Sequence, residues 1–111
     1  MWILLIEGNP LSADFIPLTP LPNLLYLELV ACSLSRFPSN MATRFSNLRV
    51  INCNYNFLTT LDCLGSMASL RKVTAVGCRL EEGSYAALSS LSELEEIDLR
   101  YALYTYRELT T

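Results

Sequence analysis

Histidine is missing from this 111-residue chain, and lysine occurs once among its eight cationic side chains. Without His there is no Ser–His or Cys–His nucleophile pair, and the commonest general base and zinc or haem ligand are gone. No carboxylate pair sits in a recognisable pocket motif either, so the chain reads as non-catalytic, with no metal and no cofactor. A net charge of −3 and so little lysine argue against a protein that tracks nucleic-acid phosphates.

Long apolar runs are missing too. The longest, Met1–Ile6 and Leu24–Leu27, fall far short of the roughly 18–20 residues a membrane-spanning helix needs. Met1–Glu7 has neither a basic leading region nor a small-residue cleavage site, so it does not read as a secretion signal. An intracellular, cytoplasmic chain without a membrane partner is the expectation. There is no C-x-x-C. The irregular spacing of Cys32, Cys53, Cys63 and Cys78 fits neither a zinc ribbon nor a thioredoxin-like motif.

What the chain has is a period. The pattern L-x-x-L-x-L-x-x-N/C-x-L recurs as Leu24, Leu27, Leu29, Cys32, Leu34; then Leu48, Ile51, Cys53, Asn56, Leu58; then Leu70, Val73, Ala75, Cys78, Leu80. A fifth unit runs Leu94, Ile97, Leu99, Ala102, with Tyr104 in the last apolar slot, and Met1, Leu4, Ile6, Asn9 and Leu11 make a first. The Asn/Cys slot thus falls at Asn9, Cys32, Asn56, Cys78 and Ala102, in nearly equal steps. This is a leucine-rich repeat array: an α/β solenoid with a parallel concave sheet of about five strands. It fills one domain over residues 1–111. Met1 falls on the first consensus slot and the fifth unit loses its pattern after Tyr101, so the expectation is a fragment of a longer array; whether internal residues are missing after Tyr101 stays open at this point.

Each L-x-L piece is expected to be a short strand, stacked on the next at about 4.8 Å. The Asn/Cys slot turns the chain, and its side chain can serve unpaired backbone groups there. Asn9 and Asn56 can do this fully; Cys32 and Cys78 bond more weakly but suit a buried turn. The convex arcs are expected to be mixed. Leu61, Leu64, Met67 and Leu70 recur at every third position, a 3₁₀ spacing. Phe37-Pro38 marks a longer arc with an extended turn before Met41, Phe45 and Leu48. Ser84 after Gly83 is a candidate N-cap for a short true helix over Ser84–Leu88. Pro17, Pro20 and Pro22 predict an extended arc over Phe15–Pro22.

This arrangement also places the cysteines. Cys32 and Cys78 lie two units apart, roughly 9–10 Å, beyond the reach of about 7 Å that a disulfide spans. Cys53 points into the core and Cys63 lies on an arc. Free thiols in a reducing compartment follow.

The outward residues of the strands form columns. They run Ile3, Tyr26, Val50, Lys72, Glu96; then Leu5, Glu28, Asn52, Thr74, Asp98; then Glu7, Val30, Asn54, Val76, Arg100; and last Gly8, Ala31, Tyr55, Gly77, Tyr101. An exposed sheet face should be polar, yet Ile3, Leu5, Tyr26, Val30, Val50, Tyr55, Val76 and Tyr101 form an apolar and aromatic strip rimmed by charge. Such strips mark interaction sites, although β-branched and aromatic residues also suit any strand surface. The candidate protein-binding residues are Tyr26, Glu28, Val30, Val50, Asn52, Asn54, Tyr55, Lys72, Thr74, Val76, Asp98, Arg100 and Tyr101. The acidic cluster Glu93, Glu95, Glu96 and Asp98 reads as a solvated face, with a docking patch for a basic segment as its alternative.

The phrases LPNLLYLELVACSLSRFP, FSNLRVINCNYNFLTTL and LRKVTAVGCRL, within Leu21–Leu80, resemble the leucine-rich domain of fungal spindle-pole-body scaffolds of the septation-initiation and mitotic-exit networks. Cys32, Pro38, Asn47, Arg49, Val50, Asn52, Asn54, Asn56, Val76, Gly77 and Arg79 carry the match. The chain differs at Cys78, where that family has Asn, and at Ala102-Leu103, where it has Asn-Pro. The resemblance implies a non-enzymatic scaffold anchored at the spindle pole body, with a long disordered N-terminal extension. Its implied partners are spindle-pole coiled-coil proteins, GTPase regulators and kinase complexes. Two other roles suit a repeat array: the regulatory subunit of an enzyme such as a protein phosphatase, and the ligand-sensing domain of an intracellular immune receptor.

Overall fold

The structure is a computed structural model and describes residues 2–11 and 20–102. Five strands, β1 (Ile3–Glu7), β2 (Tyr26–Val30), β3 (Val50–Asn52), β4 (Lys72–Thr74) and β5 (Glu96–Asp98), pair in chain order into one open sheet. Every pairing is parallel. The repeat period sets the register: Ile3, Tyr26, Val50, Lys72 and Glu96 lie side by side, and Leu5, Glu28, Asn52, Thr74 and Asp98 form the next column. A second device holds successive strands in phase. The carbonyl just before each of the first four strands accepts two N–H groups from the next unit, as Arg49 does from Arg71 and Lys72 at 2.7 and 3.1 Å.

Parallel sheets are normally covered on both faces. Here one face is covered and the other is open, so the strands alternate as half-exposed ones do. Leu27, Leu29, Ile51, Cys53, Val73 and Ala75 are fully buried, and the arcs add Met41, Phe45, Leu61, Leu64, Met67, Leu88 and Leu91 to the same core. Coverage falls off toward β1 and β5. Leu4, Ile6, Leu94 and Leu99 are partly buried, and Ile97, an inward position, is 47% exposed.

The arcs are mixed, with two differences from expectation. The third-position spacing does give a 3₁₀ turn, Asp62–Ser66. The arc after Phe37-Pro38 contains α1 (Met41–Arg44), a single helical turn that buries Met41. The expected true helix over Ser84–Leu88 is instead a 3₁₀ turn, Ala86–Ser90, and Ser84 does not cap it. The Ser84 hydroxyl donates backward to the carbonyl of Glu81 at 2.6 Å, which takes it out of the capping role. The two 3₁₀ turns pack directly: a Cβ on Gly65 would lie 2.7 Å from that of Ala87, so glycine permits the contact. The extended segment expected over 15–22 lies outside the described residues up to 19. So do the slots assigned to Met1 and Tyr104 and everything after Ala102.

The turn slot shows how the units are joined. Asn56 is 1% exposed. Its Oδ1 accepts the N–H groups of Cys32 and Leu34 at 2.9 and 3.0 Å, while its Nδ2 donates to the carbonyls of Leu29 and Cys53 at 2.6 and 2.9 Å. The cysteines in the same slot reproduce part of this. Cys78 Sγ donates to Cys53 O at 3.2 Å, and the N–H groups of Asn56 and Leu58 face its sulfur. Cys32 Sγ lies 3.6 Å from Ile6 O and 3.4 Å from Val30 O.

All four cysteines carry free thiols. The neighbouring Cys78 thiol and complete burial hold the Cys53 thiol well above the usual range. Burial, with the charge of neighbouring Asp62 adding to it, pushes Cys63 up to about 11. Because the thiolate is the nucleophile, alkylation of native Cys63 by iodoacetamide should be negligible at about pH 8 and climb roughly tenfold per pH unit toward the thiol's own pKa. Mass spectrometry of the labelled native chain reads this directly; a rate that levels off below about pH 9.5 would contradict it.

Candidate functional site

The open face carries a groove of about 190 Å³. Its walls comprise every candidate binding residue except Glu28, Val30 and Tyr101. The register brings them together, since each column contributes one side chain per unit. Glu28 borders the groove: its Oε1 accepts from the Tyr26 hydroxyl at 3.2 Å and from Asn52 Nδ2 at 3.3 Å. Val30 is half-buried beyond it, and Tyr101 stands 89% exposed at the far side.

Polar groups hold the groove in shape. Asn52 Oδ1 accepts the N–H of Asn54 at 3.1 Å, and Asn54 Oδ1 accepts that of Val76 at 2.8 Å. The second of these bonds extends the pairing of adjacent units past the short strands. Lys72 Nζ lies 2.7 Å from Glu96 Oε2, and Arg100 forks onto both carboxylate oxygens of Asp98 at 2.9 to 3.1 Å. Burial, then the carboxylate of Glu28, raises the Tyr26 phenol, and the bond to Glu96 raises Lys72. Arg100 holds Asp98 below the usual carboxylate range. A depressed carboxylate favours the folded state above its unfolded pKa and loses that contribution as pH falls through the folded one. Both ion pairs are exposed, so they order side chains more than they add stability.

The last column has a shared backbone conformation. Gly8, Ala31, Tyr55, Gly77 and Tyr101 all have φ between 54° and 73°. Four of them also donate their N–H across to the next unit: Gly8 to Val30, Ala31 to Asn54, Tyr55 to Val76 and Gly77 to Arg100. The left-handed turn aims Tyr55 sideways over the neighbouring unit. A Cβ on Gly77 would fall 2.6 Å from Tyr55 Cδ1, so the ring occupies the space that glycine leaves.

One candidate is placed differently from expectation. Val76 belongs to the expected exposed strip but is 8% exposed. It lies just past the end of β4, between Asn54 and Arg100 in the same phase, and it forms part of the groove floor. Two pairs of surface residues are new to the structure. Arg79 stacks over the Phe57 ring at 4.6 Å, and Arg49 and Arg71 share a second cleft. Each pair takes one residue from the third unit and the equivalent one from the fourth, so overlaying those units would have shown them. Among the described residues no group of His, Cys, Asp and Glu could hold a metal, and no helix is long and apolar enough to cross a membrane.

No family model matches the chain. Over 77 residues, 68% of its length, it is 30% identical to the septation initiation network scaffold protein cdc11 of Schizosaccharomyces pombe. The chain spans 7% of that protein.

Proposed function

We propose that this chain is a leucine-rich repeat module of a non-catalytic scaffold, and that it binds protein partners through the concave face of its sheet. The observation that carries the proposal is the open groove. Four in-phase units, those of β2 to β5, put Tyr26, Asn52, Tyr55, Lys72, Asp98 and Arg100 around one depression on the uncovered face of a parallel sheet. Repeat proteins use such faces for extended protein contacts. The absence of histidine and the hydrogen-bonded, shape-holding use of the polar groups support a binding role over a chemical one.

The similarity to a septation initiation network scaffold supports a place in a mitotic-exit or septation signalling complex at the spindle pole body. It favours this over a phosphatase regulatory subunit or an immune-receptor sensing domain. Spindle-pole coiled-coil proteins, GTPase regulators and kinase complexes are the corresponding partners.

The test exchanges groove residues that are exposed. In the protein as the cell makes it, fused to a fluorescent reporter, the wild type should concentrate at spindle poles in mitosis. Tyr55→Ala with Arg100→Glu should disperse that focus while leaving the circular-dichroism spectrum of the purified chain unchanged. An unaltered focus in the double variant refutes the groove as the binding surface. Val76→Asp is unsuitable, because it would place a carboxylate at a buried position and test folding instead.

A further inference from the structure

Arg49 and Arg71 precede β3 and β4 in the same phase, and the main chain of one bonds to that of the other. Their backbones are therefore about one strand spacing apart, about 4.8 Å. Both line a cleft of about 410 Å³ together with Ala68, Ser69, Ser92 and Glu93, and both are exposed. This cleft lies where the strands begin and shares no lining residue with the groove described above.

The cleft is rich in donors without partners. Among the described residues neither Arg49 nor Arg71 has an ion pair, unlike Lys72 and Arg100, and the Ser69 and Ser92 hydroxyls make no hydrogen bond. Like charges held on adjacent strands repel. An acidic chain that sets two arginines in one cleft on adjacent units and leaves both without an ion pair is suited to an anion from outside. Glu93 supplies one negative charge in the cleft, so a monovalent carboxylate would add little that is not already there. A phosphate monoester carries close to two charges and three acceptor oxygens, and it matches two guanidinium forks plus two hydroxyls.

The surroundings narrow the source. Glu95 occupies the next unit in the same phase as Arg71, whose carbonyl accepts its N–H at 2.7 Å, and Glu93 and Glu96 flank it. These carboxylates would be repelled by an anionic bilayer, but they complement basic residues next to the phosphate. We propose that the Arg49–Arg71 cleft binds a phosphorylated serine or threonine of a protein partner, with a basic residue beside it meeting Glu93 and Glu95.

The chain labelled with ¹⁵N, titrated with a short acetylated phosphoserine–glycine–arginine–arginine peptide, tests this. The guanidinium Nε–Hε signals of Arg49 and Arg71 should shift to saturation. The unphosphorylated peptide and inorganic phosphate should each bind at least about tenfold more weakly, and Arg49→Gln or Arg71→Gln should each lose about tenfold or more of the phosphopeptide affinity. Glu95→Gln should erase the preference for this peptide over one with glycines in place of its arginines. Backbone amide spectra of these surface variants, unchanged away from the cleft, report that folding is intact. Equal binding of the phosphorylated and unphosphorylated peptides, or full binding by an Arg49→Gln, Arg71→Gln double variant, overturns the proposal. So does capture of the chain by phosphatidylcholine vesicles containing phosphatidylinositol bisphosphate but not by the phosphopeptide.

Discussion

Asn56→Ala should be among the most destabilising single substitutions in the chain, at about 3–5 kcal/mol. Removing the amide strips the N–H groups of Cys32 and Leu34 of their shared acceptor, and the carbonyls of Leu29 and Cys53 of a donor. Asn56 is 1% exposed, so water cannot replace the amide without opening the turn. A loss of this size is a large part of the roughly 5–15 kcal/mol that holds a domain folded. Asn56→Cys should cost about half as much, because Cys78 shows that a thiol in this slot still reaches a carbonyl at 3.2 Å. The converse change, Cys78→Asn, should stabilise by about 1 kcal/mol, since the N–H groups of Asn56 and Leu58 already face that side chain. Urea unfolding followed by circular dichroism measures all three. Asn56→Ala no worse than Asn56→Cys would show that the amide's bonds are not what hold the turn.

Gly77→Ala should cost about 2–3 kcal/mol in the wild type and only about 1 in a Tyr55→Ala background. Two separable penalties act at this position. One is conformational: φ is +73°, a region that L-residues with a Cβ enter at a cost of about 1–2 kcal/mol. The other is steric, since the new methyl would sit 2.6 and 2.9 Å from Tyr55 Cδ1 and Cε1. Truncating Tyr55 removes the second penalty and leaves the first. A double-mutant cycle in urea separates them, and strictly additive effects would mean the ring never occupied that space. Tyr55 is 58% exposed and can swing away, so the same substitution should also disturb the groove wall.

Much of the architecture was legible because a period in sequence becomes a register in space. The nearly equal steps between units put Ile3, Tyr26, Val50, Lys72 and Glu96 in one column, as the strand pairing has them. The alternation around Leu27-Glu28-Leu29 likewise identified which side chains are buried. What was missed depends on contacts between units or on details inside an arc. Val76 follows the strand's outward alternation, but its burial is set by where its neighbours in the next units lie. The Ser84 hydroxyl had two possible bonds, to a helix N-terminus or back to Glu81, and composition does not choose between them. Cys32 and Cys78 were expected to be weak hydrogen-bonders in a buried turn; the geometry shows both thiols reaching carbonyls of the turn region. The Phe57–Arg79 stack and the Arg49–Arg71 cleft needed two units to be overlaid before either pair became visible.

The N–H bonds onto a single carbonyl at the start of successive strands have a metric consequence. They fix the columns of the open face at a pitch of about 4.8 Å, while an extended polypeptide advances about 3.3 Å per residue. The two rulers disagree at every single step and come back into phase at roughly 10 Å, where two columns match three residues. Because the side chains of an extended segment also alternate between its two faces, a segment lying across the strands would present a side chain to an equivalent position only at every sixth residue, four columns further on, at about 20 Å.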